Sequence, residues 1–314
     1  MSSVLKKSEQ LSADRRVKSV IDLIGNTPLI RLNKITEGLS PNVKVYVKAE
    51  WFNPGGSVKD RPALAMIADG IKTGKLTKDK VIMDSSSGNT AIAYAMIGAA
   101  LGFDVELVMP ANVNIERKKT IHAFGAKIIY SDALESSDGA IIMAKELLSR
   151  EPEKYFMPDQ YNNPVNALAH YETTAPEIWQ QTKGSITHFF AGMGTSGTVM
   201  GTGKRLKEYN PDVRVIAIEP AEALHGLEGL KHMAASIVPG IYDPSFPDEI
   251  LRVETDISYA LMKEMLHKEG LFIGHSGGAA IHATLEYAKN LESGVLVTLL
   301  PDGGYRYLSG GLWW

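Results

Sequence analysis

Lys48-Ala-Glu-Trp-Phe-Asn-Pro-Gly-Gly-Ser-Val-Lys59-Asp-Arg61 carries a short apolar strand into a glycine-rich loop, and the loop delivers a lysine to the start of a helix. An amine held there is placed to become a Schiff base. A free lysine is protonated at neutral pH and is a poor nucleophile, so this use requires burial or a cationic neighbour to lower its pKa. Arg61, two residues on, is a candidate for that neighbour. Most lysines are surface groups, and a lone Lys-Asp-Arg would be read as one. The full run from Asn53 to Arg61 turns the reading toward chemistry.

Two further loops have the same strand-to-helix form: Ser85-Ser-Ser-Gly-Asn-Thr90 and Gly192-Met-Gly-Thr-Ser-Gly-Thr198. Both offer clustered backbone N–H groups to an anion. In the second, glycines let the backbone approach closely, while Thr195, Ser196 and Thr198 add hydroxyl donors, a good seat for a phosphate. A dinucleotide fingerprint fits poorly, because the loop is hydroxyl-rich and Glu219 arrives at the end of the next strand without a clear G-x-G-x-x-G before it. Taken alone, the first loop is also an ordinary serine-rich helix cap, and a glycine turn often does no more than connect. One lysine and two anion cradles together describe a pyridoxal-phosphate enzyme acting on an amino acid.

The rest of the chain is compatible with such a site. Its 314 residues suffice for two domains or one large one, each burying a core. The 33 basic and 36 acidic residues are interspersed, with net charge −3, which recommends neither nucleic acid nor a membrane as partner. There are no cysteines, hence no disulfide, thiolate metal site or catalytic thiol, and the eight histidines show no metal-ligand spacing. The first twenty residues lack the apolar core of a signal peptide, so a cytoplasmic location is expected.

Apolar, β-rich runs at 43–47, 81–83, 105–109, 127–130, 187–191, 213–218 and 295–300 read as strands. Helix-length stretches at 62–72, 90–102, 114–124, 139–149 and 198–209 lie between most of them. That alternation predicts an α/β fold of βαβ units, with mostly parallel twisted sheets flanked by helices. Ligands of such sheets collect at the carboxyl ends of the strands, so the three loops are expected to converge on one cleft.

Lys59, Ser-Gly-Asn-Thr at 87–90 and Gly-Thr-Ser-Gly-Thr at 194–198 resemble the cysteine synthase family, including its B type. This is the β-replacing branch of the fold type II pyridoxal-phosphate enzymes, and the resemblance covers nearly the whole chain. It implies a two-domain fold like that of the tryptophan synthase β-subunit. A smaller substrate-side domain would span 53–163, inserted into a larger phosphate-binding domain of 1–52 and 164–314. It implies that Lys59 carries pyridoxal 5′-phosphate, that Gly194, Thr195, Ser196, Gly197 and Thr198 hold its phosphate, that Asn89 bonds its 3′ oxygen and that Ser276 faces its ring nitrogen. Ser86, Ser87, Gly88, Thr90 and Gln160 would hold the substrate carboxylate. The chain departs from the family at Ser196, where glycine is usual, and at Gly277, where a second serine or threonine is usual.

The implied reaction is β-replacement: Lys59 removes the α-proton of an activated serine ester, the β-substituent leaves, and sulfide or another sulfur donor adds to give L-cysteine. A neutral hydroxyl at Ser276 would not keep the ring nitrogen protonated, which suits loss of a good leaving group. The ester is O-acetyl-L-serine or O-phospho-L-serine. Lys231 fits either a phosphate partner or a solvated helix lysine. Within the superfamily a cystathionine β-synthase or a serine/threonine dehydratase would look similar, and a cofactor-binding regulatory scaffold for a partner protein is a reading of another class. The family also implies a homodimer, and a cleft able to accept a partner protein's C-terminal tail. The terminal Trp313 and Trp314 are expected to bury against the body or a partner subunit.

Overall fold

The computed structural model describes residues 17–86 and 88–310. Ser87, Trp313 and Trp314 therefore lie outside the described residues. The chain enters through β1 (Leu29–Arg31) and β2 (Asn42–Ala49), then passes through α1 (Asp60–Lys72). A run of β3 (Val81–Ser85), α2 (Asn89–Leu101), β4 (Val105–Pro110), α3 (Ile115–Ala123), β5 (Lys127–Ser131), α4 (Ser136–Arg150) and β6 (Tyr155–Phe156) follows. The helical stretch α5 (Pro164–Ala169), a π-helical turn His170–Thr174 and α6 (Ala175–Gln181) lead to β7 (His188–Gly192). The chain ends with α7 (Gly197–Tyr209), β8 (Arg214–Pro220), β9 (Glu249–Val253), α8 (Thr255–Glu269), α9 (His275–Ala288), β10 (Ser293–Leu300) and a 3₁₀ segment, Gly304–Gly310.

Two sheets result. The larger has the order β1-β2-β10-β7-β8-β9 and is parallel except for the antiparallel β1–β2 pair. The smaller, β5-β4-β3-β6, is parallel throughout and lies wholly within the chain between β2 and β7. All seven strand runs read from the sequence form strands, and all five helical stretches form helices.

The apolar runs are continuous because the central strands are covered on both faces. Along β7, Phe190 faces a core of Val45, Ile216, Met262 and Ile281, while Phe189 and Ala191 face Val215, Val297, Val199 and Leu206. Successive side chains of a strand alternate, so one strand feeds two cores. Burying an aliphatic side chain of this kind contributes about 1.5–3 kcal/mol, which makes β7 a rigid support for the loop that follows it. In the smaller sheet α2 is buried from Thr90 through Gly98, and a Cβ at Gly98 would lie 2.3 Å from Val105 Cγ2. That close approach seats the helix that begins at Asn89.

Short or irregular elements escape the sequence reading. β1 has three residues and β6 two. The stretch 164–181 carries prolines at 164 and 176 and a π turn, which break the helical period. The apolar segment before Gly274 makes only an isolated bridge between Ile273 and Gly303. Among the described residues no helix is long and apolar enough to cross a membrane.

Candidate active site

The carboxyl ends of β3, β7 and β10 and the loop after β2 meet at a cleft of about 420 Å³. Lys59, Ser86, Gly88, Asn89, Thr90, Gln160, Gly194, Thr195, Ser196, Thr198, Lys231 and Ser276 all line it. Gly197 does not line it; it opens α7, where a Cβ would meet Asn166 Oδ1 at 2.1 Å. Residues more than two hundred positions apart in sequence thus share one cavity.

Lys59 is half-buried and immediately precedes α1. Its loop is held by Val58 N–H donating to Pro301 O at 2.8 Å and by Asp60, whose carboxylate accepts from Gly55 N–H. A Cβ at Gly55 would sit 2.5 Å from Asp60 Oδ1, so only glycine lets this turn close. Burial pushes the Lys59 ammonium below the ordinary lysine range, while the charges of Asp302 and Glu50 work in the other direction. Arg61 is not the cationic neighbour that the sequence suggested. Its guanidinium is turned into a buried cluster, with Nε 2.7 Å from Glu50 Oε2 and Nη1 2.7 Å from Glu177 Oε1. Desolvation alone does the lowering. The Gly25-Asn26-Thr27 turn closes that cluster: Thr27 donates to Glu50 and Asn26 N–H donates to Glu177.

The Thr90 hydroxyl donates to Gln160 Oε1 at 2.7 Å, and Gln160 Nε2 donates to Ser85 O at 2.8 Å. Asn166 then links Gln160 O at 2.7 Å with the Thr195 hydroxyl at 3.0 Å. One hydrogen-bonded chain therefore runs from the β3 loop to the β7 loop and fixes their relative position. Behind it, His170 bridges Thr174 at 2.9 Å and Thr198 at 3.3 Å. Neither Asn166 nor His170 was singled out in the sequence, because each acts through a contact that exists only after folding.

The β7 loop has the form of an anion seat. A Cβ at Gly194 would lie 2.3 Å from Gly229 O, so the backbone there is bare by necessity. Ser196 adopts φ +67°, a conformation that glycine takes without strain. Its Oγ is buried and has no hydrogen-bond partner, an arrangement that needs an acceptor from outside the protein. With the α7 N-terminus, the hydroxyls of Thr195 and Thr198 and a desolvated amine at Lys59, the donor set fits a phosphate-bearing aldehyde such as pyridoxal phosphate.

Five residues that the sequence reading passed over line the cleft or stand directly behind it. Arg117 pairs with Glu228, its guanidinium 5.3 Å from the Tyr307 ring centre, and all three line the cavity. Asp302 is fully buried beside them and accepts from Asn89 Nδ2 at 2.7 Å and from the Tyr307 hydroxyl at 2.6 Å. Its position at the carboxyl end of β10 was a usable signal, since the other loops were found by that rule. Arg306 also reaches in, donating to Asn89 Oδ1 and Gly55 O.

Residues 20–302 match the family described as pyridoxal-phosphate dependent enzyme. A cysteine synthase of Aquifex aeolicus is 53% identical over 300 residues, which cover 94% of this chain and 92% of that protein. Cysteine synthase B of Pseudomonas aeruginosa is 41% identical over 295 residues, covering 94% and 97%. The crystal structure of a cysteine synthase from Entamoeba histolytica superposes with a TM-score of 0.91 at 35% identity, covering 96% of this chain and 92% of that one. Pyridoxal phosphate is the cofactor these likenesses specify, and the cleft has the groups to take it. The chain belongs to the pyridoxal-phosphate dependent enzymes of fold type II, on their cysteine synthase branch.

Proposed function

We propose that this enzyme makes L-cysteine by β-replacement on an activated L-serine ester, O-acetyl-L-serine or O-phospho-L-serine, with sulfide or another sulfur donor as nucleophile. The observation that carries the reading is the convergence of Lys59 with two separate anion seats in one cleft. When bound, pyridoxal phosphate supplies an electron-withdrawing ring that makes the α-C–H of an attached amino acid acidic. Lys59 is the amine that carries the cofactor between turnovers and the base that takes the α-proton on Nζ. Its desolvation favours the neutral, basic form.

The remaining roles are those the family resemblance implies, supported by the place of most of these residues on the cleft. Gly194, Thr195, Ser196, Gly197 and Thr198 hold the phosphate at the start of α7. Asn89 and Ser276 orient the ring. Ser86, Gly88, Thr90 and Gln160 hold the substrate carboxylate, joined by Ser87 of the same loop. The Thr90–Gln160 bond holds these two groups against each other and reduces the ordering that substrate binding requires. Lys231 meets the leaving group when that group is a phosphate.

The segment 53–163 is read as the smaller, substrate-side domain against 1–52 and 164–314. The confinement of one whole sheet to residues 81–156 supports that division. The working form is taken to be a cytoplasmic homodimer whose cleft can also receive a partner protein's C-terminal tail.

The test uses purified holoenzyme with sulfide and each ester in turn, measuring L-cysteine, together with borohydride reduction and peptide mass analysis. Cysteine from at least one ester and cofactor fixed to Lys59 are expected. Fixed cofactor with no cysteine from either ester would remove the β-replacement reading, and cofactor fixed elsewhere would remove the role of Lys59.

A further inference from the structure

Asp302 touches three of the segments that face the cofactor site: the Lys59 loop, the start of α2 and the turn before Ser276. Its backbone pairs with Ser57, two residues before Lys59, and the preceding Pro301 O accepts from Val58 N–H at 2.8 Å. Its Oδ2 accepts from Asn89 Nδ2 at 2.7 Å. Its carbonyl accepts from Gly274 N–H at 3.1 Å, and a Cβ on Gly274 would lie 2.0 Å from Oδ1, so the turn that leads to Ser276 is moulded around this side chain. Asp302 is wholly buried, and Oδ1 has no hydrogen-bond partner. A buried carboxylate is costly unless its charge is used, and here it is only half satisfied.

We propose that Asp302 is a positioning residue for the reaction: it helps to fix the amide of Asn89 and sets its carboxylate against Lys59, stabilising the ammonium that forms when Lys59 takes the substrate proton. The inference rests on the proposed role of Lys59. The Asn89 amide has two faces. Donation of its NH₂ to Asp302 turns its carbonyl the other way, where it accepts from Arg306. The carboxylate, which only accepts, and the guanidinium, which only donates, together hold the amide in that orientation, and loss of the carboxylate removes one of its two anchors. For the charge, the groups acting on Lys59 are Asp302 and Glu50, and Glu50 is neutralised by its bidentate contact with Arg61. Around Asp302 itself stand Lys59, Tyr307, Arg117 and His275. The Tyr307 hydroxyl bonds the same oxygen as Asn89 and moderates its charge. Asp302 thus lowers the cost of the charged product of proton transfer, whereas burial makes the neutral base available before it.

The test is the pH dependence of kcat for holoenzyme, with borohydride reduction of each variant to verify cofactor on Lys59. Asp302→Asn keeps the shape and removes the charge. The limb on which kcat falls with acid should move down by about one pH unit, with the plateau roughly threefold lower and KM within about twofold. Tyr307→Phe removes the bond that moderates the carboxylate, so the same limb should move up, by about half a unit. Asp302→Ala also frees Asn89 and should shift the visible absorbance maximum of the bound cofactor. Opposite movements in the first two variants distinguish a charge effect from loss of structure. If both leave the limb within about 0.2 unit of wild type, or both move it the same way, the role of Asp302 is overturned. If Asp302→Asn fails to hold cofactor, Tyr307→Phe decides alone: an upward shift supports the role, and none overturns it. Absence of cofactor from Lys59 in the wild type would instead remove the reading of Lys59.

Discussion

Lys231 Nζ stands 3.2 Å from Asp138 Oδ1, with the Ile237 carbonyl at 3.4 Å and the Tyr161 ring centre at 5.1 Å. The cation proposed for a leaving group is therefore already countered, by a carboxylate from α4. A phosphate must compete with Asp138, whereas an acetyl group does not engage the pair. Lys231→Ala should raise KM for O-phospho-L-serine about tenfold, the worth of one charge-assisted hydrogen bond, and leave O-acetyl-L-serine within about twofold. Asp138→Asn should lower KM for the phosphorylated substrate. Steady-state kinetics with both esters decides, and equal insensitivity of both would make Lys231 a structural group.

The Arg61 cluster gives a stability prediction. Arg61 is buried between Glu50 and Glu177, and Lys48 Nζ lies 2.6 Å from Glu177 Oε2. Removing one cation leaves buried carboxylates uncompensated, so Arg61→Gln should cost about 3–5 kcal/mol in thermal or denaturant unfolding. Burial opposes ionisation of Glu50, but Arg61 outweighs it and holds the carboxyl down at about 2, against 4.5 unfolded. The stabilisation is fully present above pH 4.5 and is lost as pH falls toward 2. Arg61→Gln should abolish that part of the acid profile.

How far the sequence could be read follows from the range of each signal. The Lys59, Ser85–Thr90 and Gly192–Thr198 loops were legible because each is a local strand-to-turn-to-helix pattern, and a single topological rule brings them together. Asp302, in Pro-Asp-Gly-Gly, reads locally as a turn although it follows β10 and so falls under the same rule; its unpartnered oxygen against Gly274 is a fact of tertiary packing. Arg61 was misread for the same reason. Adjacency in sequence suggested that its charge acts on Lys59, but the first turn of α1 aims the two side chains apart. Arg117 gave no signal, because its partner Glu228 lies 111 positions away by the difference of their numbers.

Two buried groups behind the cleft have opposite pH signatures. Burial raises Asp84 to about 7 from 3.8, although the Tyr94 hydroxyl, Ser85 N–H and Gln160 N–H all donate to it. Its contribution is fully present below pH 3.8 and is lost as pH rises through 7. Burial lowers His170 to about 3 from 6.5; its contribution is present above pH 6.5 and is lost as pH falls toward 3. Asp84→Asn should therefore gain in melting temperature relative to wild type between pH 5 and pH 8. His170→Gln should remove part of the acid-side loss between pH 6.5 and 3. Thermal melts of the three proteins across that range check both, and parallel profiles would refute them.

Ser196 puts stability and binding in opposition. At φ +67° a residue with a Cβ is strained by about 1 kcal/mol relative to glycine, and its buried Oγ lacks a partner within the protein. Ser196→Gly relieves both, so the cofactor-free protein should unfold at a higher temperature, by the equivalent of about 1 kcal/mol or more. If the hydroxyl serves as a phosphate donor, the same change should weaken cofactor retention several-fold, since a hydrogen bond to a charged acceptor is worth roughly 1.5–3 kcal/mol. Melting of the cofactor-free protein and dialysis of the loaded enzyme followed by absorbance separate the two effects. A lower melting temperature would contradict the strain argument. Unchanged retention would show that the backbone N–H groups of Gly194–Thr198 hold the phosphate without this side chain.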